Sequence, residues 1–274
     1  MSALPIRILI AALGSHGDVH PFMGLGRTLV ERGHEVRLIA PAMYDVIARL
    51  AGLQFVPVGT VEQFERHSSR ADLWHPRKGF QVMAEATGEF LGEYYRLITE
   101  NCEPGRTVLV LSSLAMGGRV AQEVLGVPGV TIHLSPSVFR SELKPAKTPP
   151  LPLADWMPAW WNRAIFAAVD ALVIDPSLGG PVNQLRASIG LQPVKGIFAG
   201  WMNSPDRVIG LFPEWFGAPA SDWPPQAVLT GFPLYDEADI LPIDSELERF
   251  LDSGGPPIAF TPGSAMRHGD RFFA

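Results

Sequence analysis

The sequence predicts an α/β protein in which helices cover both faces of a parallel sheet, a Rossmann-like doubly wound arrangement. Two observations indicate this fold. Apolar runs of strand length without polar alternation recur along the chain, as at residues 6–13 and 107–113, and such runs are typical of strands buried on both faces. Segments with apolar residues at helical spacing separate these runs, and strands that alternate with helices imply right-handed crossovers in a parallel sheet.

The first predicted unit is a strand at residues 6–13, followed by a turn and a helix. Pro21 is expected at the first helical position, where its missing N–H leaves no hydrogen bond unmade. Phe22, Leu25 and Leu29 then recur at helical spacing. Gly33 is expected to end the helix in the left-handed conformation that glycine tolerates best.

The same alternation continues through most of the chain. A long loop rich in proline and tryptophan, residues 136–161, interrupts it. The further predicted strands are residues 35–41, 53–58, 107–113, 129–135, 206–212 and 226–232, and the predicted helices lie near residues 44–51, 78–100, 117–125, 158–174 and 180–189.

The chain is predicted to divide into three parts. Residues 1–238 form an N-terminal Rossmann-like domain, residues 239–255 form an acidic linker with a short helix, and residues 256–274 begin a fresh strand and glycine turn. A lone strand and half a helix cannot bury their apolar faces or pair their backbone groups without further strands. We therefore expect the last part to be the start of an incomplete second domain.

Composition excludes several classes of protein. Hydrophobic residues make up 47% and charged residues 18% of the chain, which favours a globular fold, and the net charge of −6 argues against a nucleic-acid partner. The single cysteine, Cys102, excludes an internal disulfide and fits a cytoplasmic location. No uncharged apolar stretch approaches the ~20 residues of a membrane span, and the apolar residues 6–15 are interpreted as a strand, not a signal peptide.

The turn after the first strand carries Gly14, Gly17 and Asp18. Ligands of open parallel sheets bind outside the carboxyl ends of the strands, where a helix N-terminus offers free N–H groups and a partial positive charge. That charge is expected to keep Asp18 ionised. The residues alone leave three interpretations open: a structural cap, a dinucleotide-binding turn whose "GSHGDV" departs from the usual glycine pattern, and a general base acting on a hydroxyl.

A resemblance to a known family selects among these interpretations. The stretch "GSHGDVHPFMGLGRTLVERGHEVRLIAP" resembles the opening of the two-domain, nucleotide-sugar-dependent GT-B glycosyltransferases, which include sterol and glycopeptide-antibiotic glucosyltransferases. The segments "WMNSPDRVIGLFPEWFGAPASDWPPQAVLTGFPLYDE" and "PPIAFTPGSA" look most similar to the rhamnosyltransferase branch that acts in rhamnolipid synthesis. The likeness runs along the whole chain in order.

The resemblance implies two Rossmann-like domains, of which the N-terminal one holds the acceptor and the C-terminal one mainly the nucleotide. It implies an inverting reaction in which Asp18 removes the proton of the acceptor hydroxyl. His16 and His20 flank this base, as acceptor-binding residues or as solvated loop histidines. The predicted donor-side residues are Gly14, Ser15, Gly17, Gly263 and Ser264.

The chain departs from the plant members of the family at one point. Those enzymes pair their catalytic histidine with an aspartate after the fourth parallel strand, where this chain has Ser112 and Ser113. Asp18 would therefore work without such a partner. No Asp-x-Asp triplet occurs in the sequence, so we expect no metal and no cofactor, with the nucleoside diphosphate sugar as co-substrate and helix N–H groups facing its phosphates.

Further acceptor-binding candidates follow from topology. Ser112, His133, Ser135 and Phe139 come at or after the carboxyl ends of predicted strands. Trp156 belongs to an aromatic segment that suits a lipid-like acceptor, although core packing of this tryptophan is the alternative that we favour. Docking of this segment on a membrane is a weaker option, because few lysines or arginines accompany it.

The sequence therefore predicts an inverting, metal-independent glycosyltransferase that moves a hexose or deoxyhexose from a UDP- or dTDP-sugar to a hydrophobic hydroxylated acceptor. With most of a donor domain missing, the chain alone is expected to be almost inactive. A non-catalytic binding protein derived from the domain is the alternative, and an NAD(P)-dependent oxidoreductase a distant one. The predicted location is the cytoplasm or the inner face of the membrane, with membrane contact and self-association through the C-terminal fragment left open.

Overall fold

The computed structural model describes residues 5–75, 78–148 and 151–260. Seven parallel strands form one sheet in the order β3-β2-β1-β4-β5-β6-β7. The strands are β1 Arg7–Ala11, β2 Glu35–Pro41, β3 Gln54–Val58, β4 Thr107–Ser112, β5 Gly129–His133, β6 Arg207–Gly210 and β7 Ala227–Leu229. The order reverses between β1 and β4, so a crevice opens at their carboxyl ends.

Helices lie on both faces of this sheet, which confirms the predicted doubly wound class. The α-helices are α1 His16–Glu31, α2 Asp45–Leu50, α3 Val61–Ser68, α4 Gly79–Asn101, α5 Met116–Leu125, α6 Ala159–Val169, α7 Gly180–Ser188 and α8 Ser245–Asp252. Wider π-helical turns, Asp170–Gly179, join α6 to α7, and a 3₁₀ turn, Ala71–Trp74, follows α3.

The start of α1 differs from the prediction. The helix begins at His16, with Ser15 in the extended N-cap conformation, and Pro21 lies inside it. The reason is a capping interaction that the prediction from Pro21 did not consider. The Asp18 carboxylate accepts a hydrogen bond from the Ser15 N–H, which fixes the start of the helix at His16. The predicted end of the helix is confirmed, since Gly33 has a φ of 86° and its N–H donates to the Val30 carbonyl oxygen.

Two apolar layers hold the helices against the sheet. On one face, Phe22 and Met23 of α1 pack with inward side chains of β1 and β2. On the other face, Phe90, Tyr94 and Ile98 of α4 pack against β1 and β4. The central strands therefore lie between α1 on one face of the sheet and α4 on the other.

One helical stretch is more apolar than we expected for this fold. Residues Ala159–Ser188 form a continuous helical run with a mean hydropathy of 1.4 over an 18-residue window, long enough to cross a membrane by length and composition. Its charges are nevertheless bonded within the domain. Asp170 pairs with Arg140 through both carboxylate oxygens, and Asp175 accepts from the N–H groups of Gly196 and Ile197 at 2.9 and 3.1 Å. These contacts tie the run to neighbouring segments of the chain, while 22% of its apolar window is buried.

The C-terminal predictions are tested only in part. The linker helix is present as α8, while residues 256–260 have no regular secondary structure. The rest of the predicted second-domain fragment, with Gly263 and Ser264, lies outside the described residues. The division of the chain into domains stays a prediction.

Candidate functional site

A cavity of about 260 Å³ opens at the carboxyl ends of β1, β2 and β4. The loop after β1, helices α3 and α4 and the 3₁₀ turn between them form its walls. The lining residues are Leu13, Gly14, Ser15, His16, Asp18, Met43, Tyr44, Phe64, His67, Ser68, Leu73, Trp74, Val82, Met83, Ala86, Thr87, Phe90 and Leu114. Most of these side chains are apolar, and the polar ones come from the β1–α1 loop and the first turn of α1, from the end of α3, and from Tyr44 and Thr87.

The β1–α1 loop requires its first glycine. Gly14 has a φ of 137°, where residues with a side chain are strained. A Cβ built on it would also lie 2.5 Å from the Asp18 Cγ. Only glycine therefore lets the chain turn from β1 into α1 while the Asp18 carboxyl group folds back over the loop.

The carboxylate of Asp18 is held by Ser15. Its Oδ2 accepts hydrogen bonds from the Ser15 N–H at 2.8 Å and from the Ser15 hydroxyl at 3.0 Å. No hydrogen bond between the described residues uses Oδ1. One carboxylate oxygen is thus committed to the helix cap, and the side chain lines the cavity.

Burial raises the pKa of Asp18 above its ordinary value, and the two hydrogen bonds from Ser15 lower it by less. This shift is opposite in sign to the effect that we expected from the helix N-terminus, because loss of hydration outweighs the favourable dipole and hydrogen bonds. A carboxylate with a raised pKa is a stronger proton acceptor, provided that it is ionised at the working pH.

The two flanking histidines occupy different surroundings. His16 lines the cavity, and its ring lies 4.9 Å from that of His20 and 5.3 Å from that of Tyr44, edge to face. His20 is half-buried in α1 with its Nδ1 3.2 Å from a Glu237 carboxylate oxygen, and burial lowers its pKa. His20 is therefore not the solvated loop histidine of one prediction; it faces a neighbouring open groove with Tyr235.

Ser112 and His133 lie beneath the site instead of in it. The Ser112 hydroxyl oxygen accepts from the Leu13 N–H at 3.3 Å. The His133 ring is 1% exposed, and its two nitrogens lie 2.7 Å from the Ser113 hydroxyl and 2.7 Å from the Asn203 Oδ1. Because both ring nitrogens are engaged within the core, His133 supports the loop after β4 and does not line the cavity.

The remaining predicted acceptor residues are scattered. Ser135 caps a short turn by accepting from the Ser137 N–H. Phe139 stacks on Trp223 with ring centroids 4.2 Å apart and lines a second cavity of about 620 Å³. Trp156 is 80% exposed, so the core packing that we favoured for it is wrong: the proline-rich loop leaves its side chain in solvent.

The structure adds residues that the sequence analysis missed. Helix α3 and the following 3₁₀ turn were not predicted, yet they bring Phe64, His67 and Trp74 to the cavity. A signal for α3 was present: Thr60 and Gln63 form a capping box, the Thr-x-x-Gln pattern that marks a helix start.

The described part of the chain offers no metal-ligating cluster. Over residues 5–75, 78–148 and 151–260, no group of three or more His, Cys, Asp or Glu side chains is placed to hold a metal ion. The cavity therefore offers an apolar enclosure, one half-buried carboxylate and several hydroxyl and imidazole groups.

Comparisons with known proteins agree on one class. Residues 8–143 match the model of the glycosyltransferase family 28 N-terminal domain. Two proteins of Amycolatopsis orientalis, glycosyltransferase GtfE and vancomycin aglycone glucosyltransferase, are 31% and 32% identical to the chain over 97% and 94% of its length. A sterol 3-beta-glucosyltransferase of Leptosphaeria maculans is 26% identical over 90% of the chain and 17% of that protein.

The solved structures carry the same fold. The glycosyltransferase of kitacinnamycin matches with a TM-score of 0.55 and 19% identity, over 84% of this chain and 52% of its own. The chain spans 62% and 61% of the length of the two Amycolatopsis relatives.

Proposed function

Residues 8–143 of this chain belong to the glycosyltransferase family 28 N-terminal domain family, and on that premise we propose that it supplies the acceptor-binding side of a nucleotide-sugar glycosyltransferase. The acceptor is a hydrophobic molecule with a reactive hydroxyl group. The observation that supports this proposal best is the half-buried Asp18 carboxyl group on the wall of a largely apolar cavity. The predicted rhamnosyltransferase branch stays a prediction.

The proposed chemistry is a single displacement with inversion. The acceptor hydroxyl donates its proton to the Asp18 carboxylate while its oxygen attacks the anomeric carbon of the sugar. The bond from that carbon to the diphosphate oxygen breaks, and the nucleoside diphosphate leaves. The Ser15 hydroxyl and N–H hold Oδ2, so the carboxylate needs little reorientation before it accepts the proton.

The donor would approach from the exposed side of the same loop. The first turn of α1 leaves the backbone N–H groups of His16 and Gly17 without a partner among the described residues, and such helix starts favour phosphate. We infer a UDP- or dTDP-hexose as donor, with no metal ion in the reaction. The single cysteine fits the cytoplasm as the place of action.

The test is an Asp18→Asn substitution. Sugar transfer from UDP- and dTDP-hexoses is measured for the 274-residue chain, and for the chain joined to the C-terminal part of vancomycin aglycone glucosyltransferase that lies beyond the matched region. We expect transfer by the joined protein and a loss of about 100-fold or more in kcat in the variant, the usual contribution of a general base. Acceptor affinity should change by less than about threefold.

Two outcomes would contradict the proposal. Transfer that survives Asp18→Asn at the parent rate would remove the proposed base. Acceptor binding without transfer from any donor would favour the binding-protein alternative. His34→Gln is the control variant, because His34 lies in the turn before β2, outside the cavity.

A further inference from the structure

The β1–α1 loop is bonded to both strands that flank β1. The Ala12 N–H donates to the Ile39 carbonyl oxygen of β2 at 3.0 Å. The Leu13 N–H donates to the Ser112 hydroxyl oxygen of β4 at 3.3 Å. The backbone donors at the start of the loop are therefore satisfied by neighbouring strands, and each of these bonds limits the movement of the loop along the sheet.

Two tyrosine hydroxyl groups bind the carbonyl oxygens of the same loop. Tyr94 of α4 donates to the Ala12 carbonyl oxygen at 2.6 Å. Tyr44 ends the short 3₁₀ turn Ala42–Tyr44 after β2 and donates to the Gly14 carbonyl oxygen at 3.2 Å. Both tyrosines are 1% exposed. A carbonyl group that loses such a buried partner has little water nearby to replace it, so each bond is costly to break.

The two tyrosines reach the loop from opposite faces of the sheet. Tyr44 packs in the apolar layer that contains Phe22 and Met23 of α1, whereas Tyr94 packs in the layer that contains Phe90 of α4. A displacement of the loop toward either face therefore stretches the hydrogen bond on the other face. The two hydrogen bonds together form a tyrosine clamp on the loop.

The clamped loop is the one that holds the candidate base. Gly14 is followed directly by Ser15, whose N–H and hydroxyl group hold the Asp18 Oδ2. Tyr44 lines the same cavity as Asp18. Burial and, to a smaller degree, the charge of Asp18 raise the pKa of the Tyr44 hydroxyl group, so this group stays protonated and remains a donor. The position of the carboxylate thus depends on contacts that begin at the two tyrosines.

We propose that Tyr44 and Tyr94 are positioning residues for the candidate base: their hydroxyl groups hold the β1–α1 loop from both faces of the sheet and keep the Asp18 carboxylate in one place on the cavity wall. They act through the loop and not on the reacting atoms. This inference rests on the proposed function for the role of Asp18 as base. The tyrosine clamp itself is a property of the 274-residue chain and is measurable without donor or acceptor.

The experiment compares Tyr44→Phe and Tyr94→Phe with the parent chain by NMR, because each substitution removes one oxygen and keeps the packed ring. Losing one hydrogen bond should raise amide hydrogen exchange at Leu13 and Ser15 about fivefold or more. The Asp18 carboxyl group should gain hydration as the loop opens, so its raised pKa should fall toward the ordinary value by about 0.5 or more. The resonance of the Asp18 carboxyl carbon follows this titration.

Two control variants separate the tyrosine clamp from general effects. Tyr95→Phe removes the hydroxyl group of the next residue of α4, which makes no hydrogen bond with the described residues. Thr131→Val removes a buried hydrogen bond outside the loop, from the Thr131 hydroxyl group to the Met202 carbonyl oxygen at 3.1 Å. Both should keep the loop exchange and the Asp18 titration of the parent. Unchanged exchange and titration in both tyrosine-clamp variants, or equal changes in Thr131→Val, would overturn the inference.

Kinetics of the joined protein separate this inference from the proposed function. Each tyrosine-clamp variant should lower kcat about five- to tenfold and change acceptor affinity by less than about twofold, because the base is misplaced while the apolar walls are kept. If kcat is unchanged in both variants although Asp18→Asn abolishes transfer, only the positioning inference fails. If the joined protein transfers no sugar, the transferase proposal fails, while altered exchange and Asp18 titration in the two variants would still support the tyrosine clamp.

Discussion

At the scale of single residues, burial controls the titration of Asp18 in the cavity wall and of His133 in the core beneath it. Asp18 loses hydration in the cavity wall, so its pKa is raised although Ser15 donates two hydrogen bonds to it. His133 loses hydration in the core, so its pKa falls to about 4 although Asn203 is hydrogen-bonded to it. In both cases the neutral form is favoured, because a low-polarity environment penalises the charged form of an acid and of a base alike.

The buried His133 predicts a pH-dependent stability. In the unfolded chain this histidine takes up a proton as the pH falls through about 6.5, whereas in the folded protein it stays neutral down to a pH of about 4. The unfolding free energy should therefore fall between pH 6.5 and pH 4, by about 3 kcal/mol from this group. Urea denaturation at several pH values measures the effect.

His133→Gln should lack this part of the pH dependence, although its stability at pH 8 is lower because the core loses the hydrogen bond to Ser113. His34→Gln should retain the dependence of the parent. Parallel curves for the parent and His133→Gln between pH 6.5 and pH 4 would show that His133 does not titrate as the structure implies.

At the scale of elements, close packing of α5 against α4 fixes the position of α4, which forms one wall of the cavity. Helices α4 and α5 cross where α5 has Gly117, and a Cβ there would overlap the Leu91 carbonyl oxygen and lie 2.8 Å from the Tyr95 nitrogen. The obstructing atoms belong to the backbone of α4, so they cannot rotate away. This contact brings α4, with Phe90 and Met83, to its position over β1 and β4.

Two glycine substitutions should therefore change the unfolding free energy in opposite directions. Gly117→Ala forces α4 and α5 apart and should lower the unfolding free energy by about 2–3 kcal/mol, as overpacking of a core does. Gly92→Ala, on the exposed side of α4 with no atom near its added Cβ, should raise it by about 0.5–1 kcal/mol, since alanine is the better helix former. Thermal or urea denaturation gives both values, and equal effects would refute the packing argument.

At the scale of the whole molecule, the chain that follows β7 returns to the site. Leaving the sheet edge, it packs along α1: Tyr235 lies against Gly24, Glu237 approaches His20, and Asp239 pairs with Arg27. These three α1 residues are spaced about one turn apart, so they form one stripe on the helix. The segment thus passes His20, near the start of α1, and ends against Arg27 in the second half of that helix.

Gly24 makes this docking possible, because a Cβ on it would lie 2.7 Å from the Tyr235 Cβ. Gly24→Ala should displace the segment and increase amide hydrogen exchange at residues 235–239 by about tenfold or more. The exchange rates in the sheet should stay unchanged. Gly92→Ala is the control with no atom near its new methyl group. Unchanged exchange at residues 235–239 in Gly24→Ala would mean that the segment does not depend on this contact.

Much of the fold was predictable from local signals. Uninterrupted apolar runs identified the central strands β1, β2, β4 and β5 near their observed limits, because a strand buried on both faces has few polar residues. The left-handed Gly33 also followed from local chemistry. The start of α1 was misplaced because two start signals compete there, and the Ser15–Asp18 cap prevails over Pro21.

By itself, the sequence determined the α/β class, the run of strands and helices, the family resemblance and the choice of Asp18 as candidate base, since each depends on residues close together in the chain. Only the tertiary structure decided which residues line the cavity. Burial and side-chain direction depend on distant packing: His133 is enclosed in the core, Trp156 is turned outward, and α3 brings His67 and Ser68 to the cavity that Asp18 also lines. No pattern in a short stretch of sequence specifies which of these polar groups becomes buried and loses its hydration.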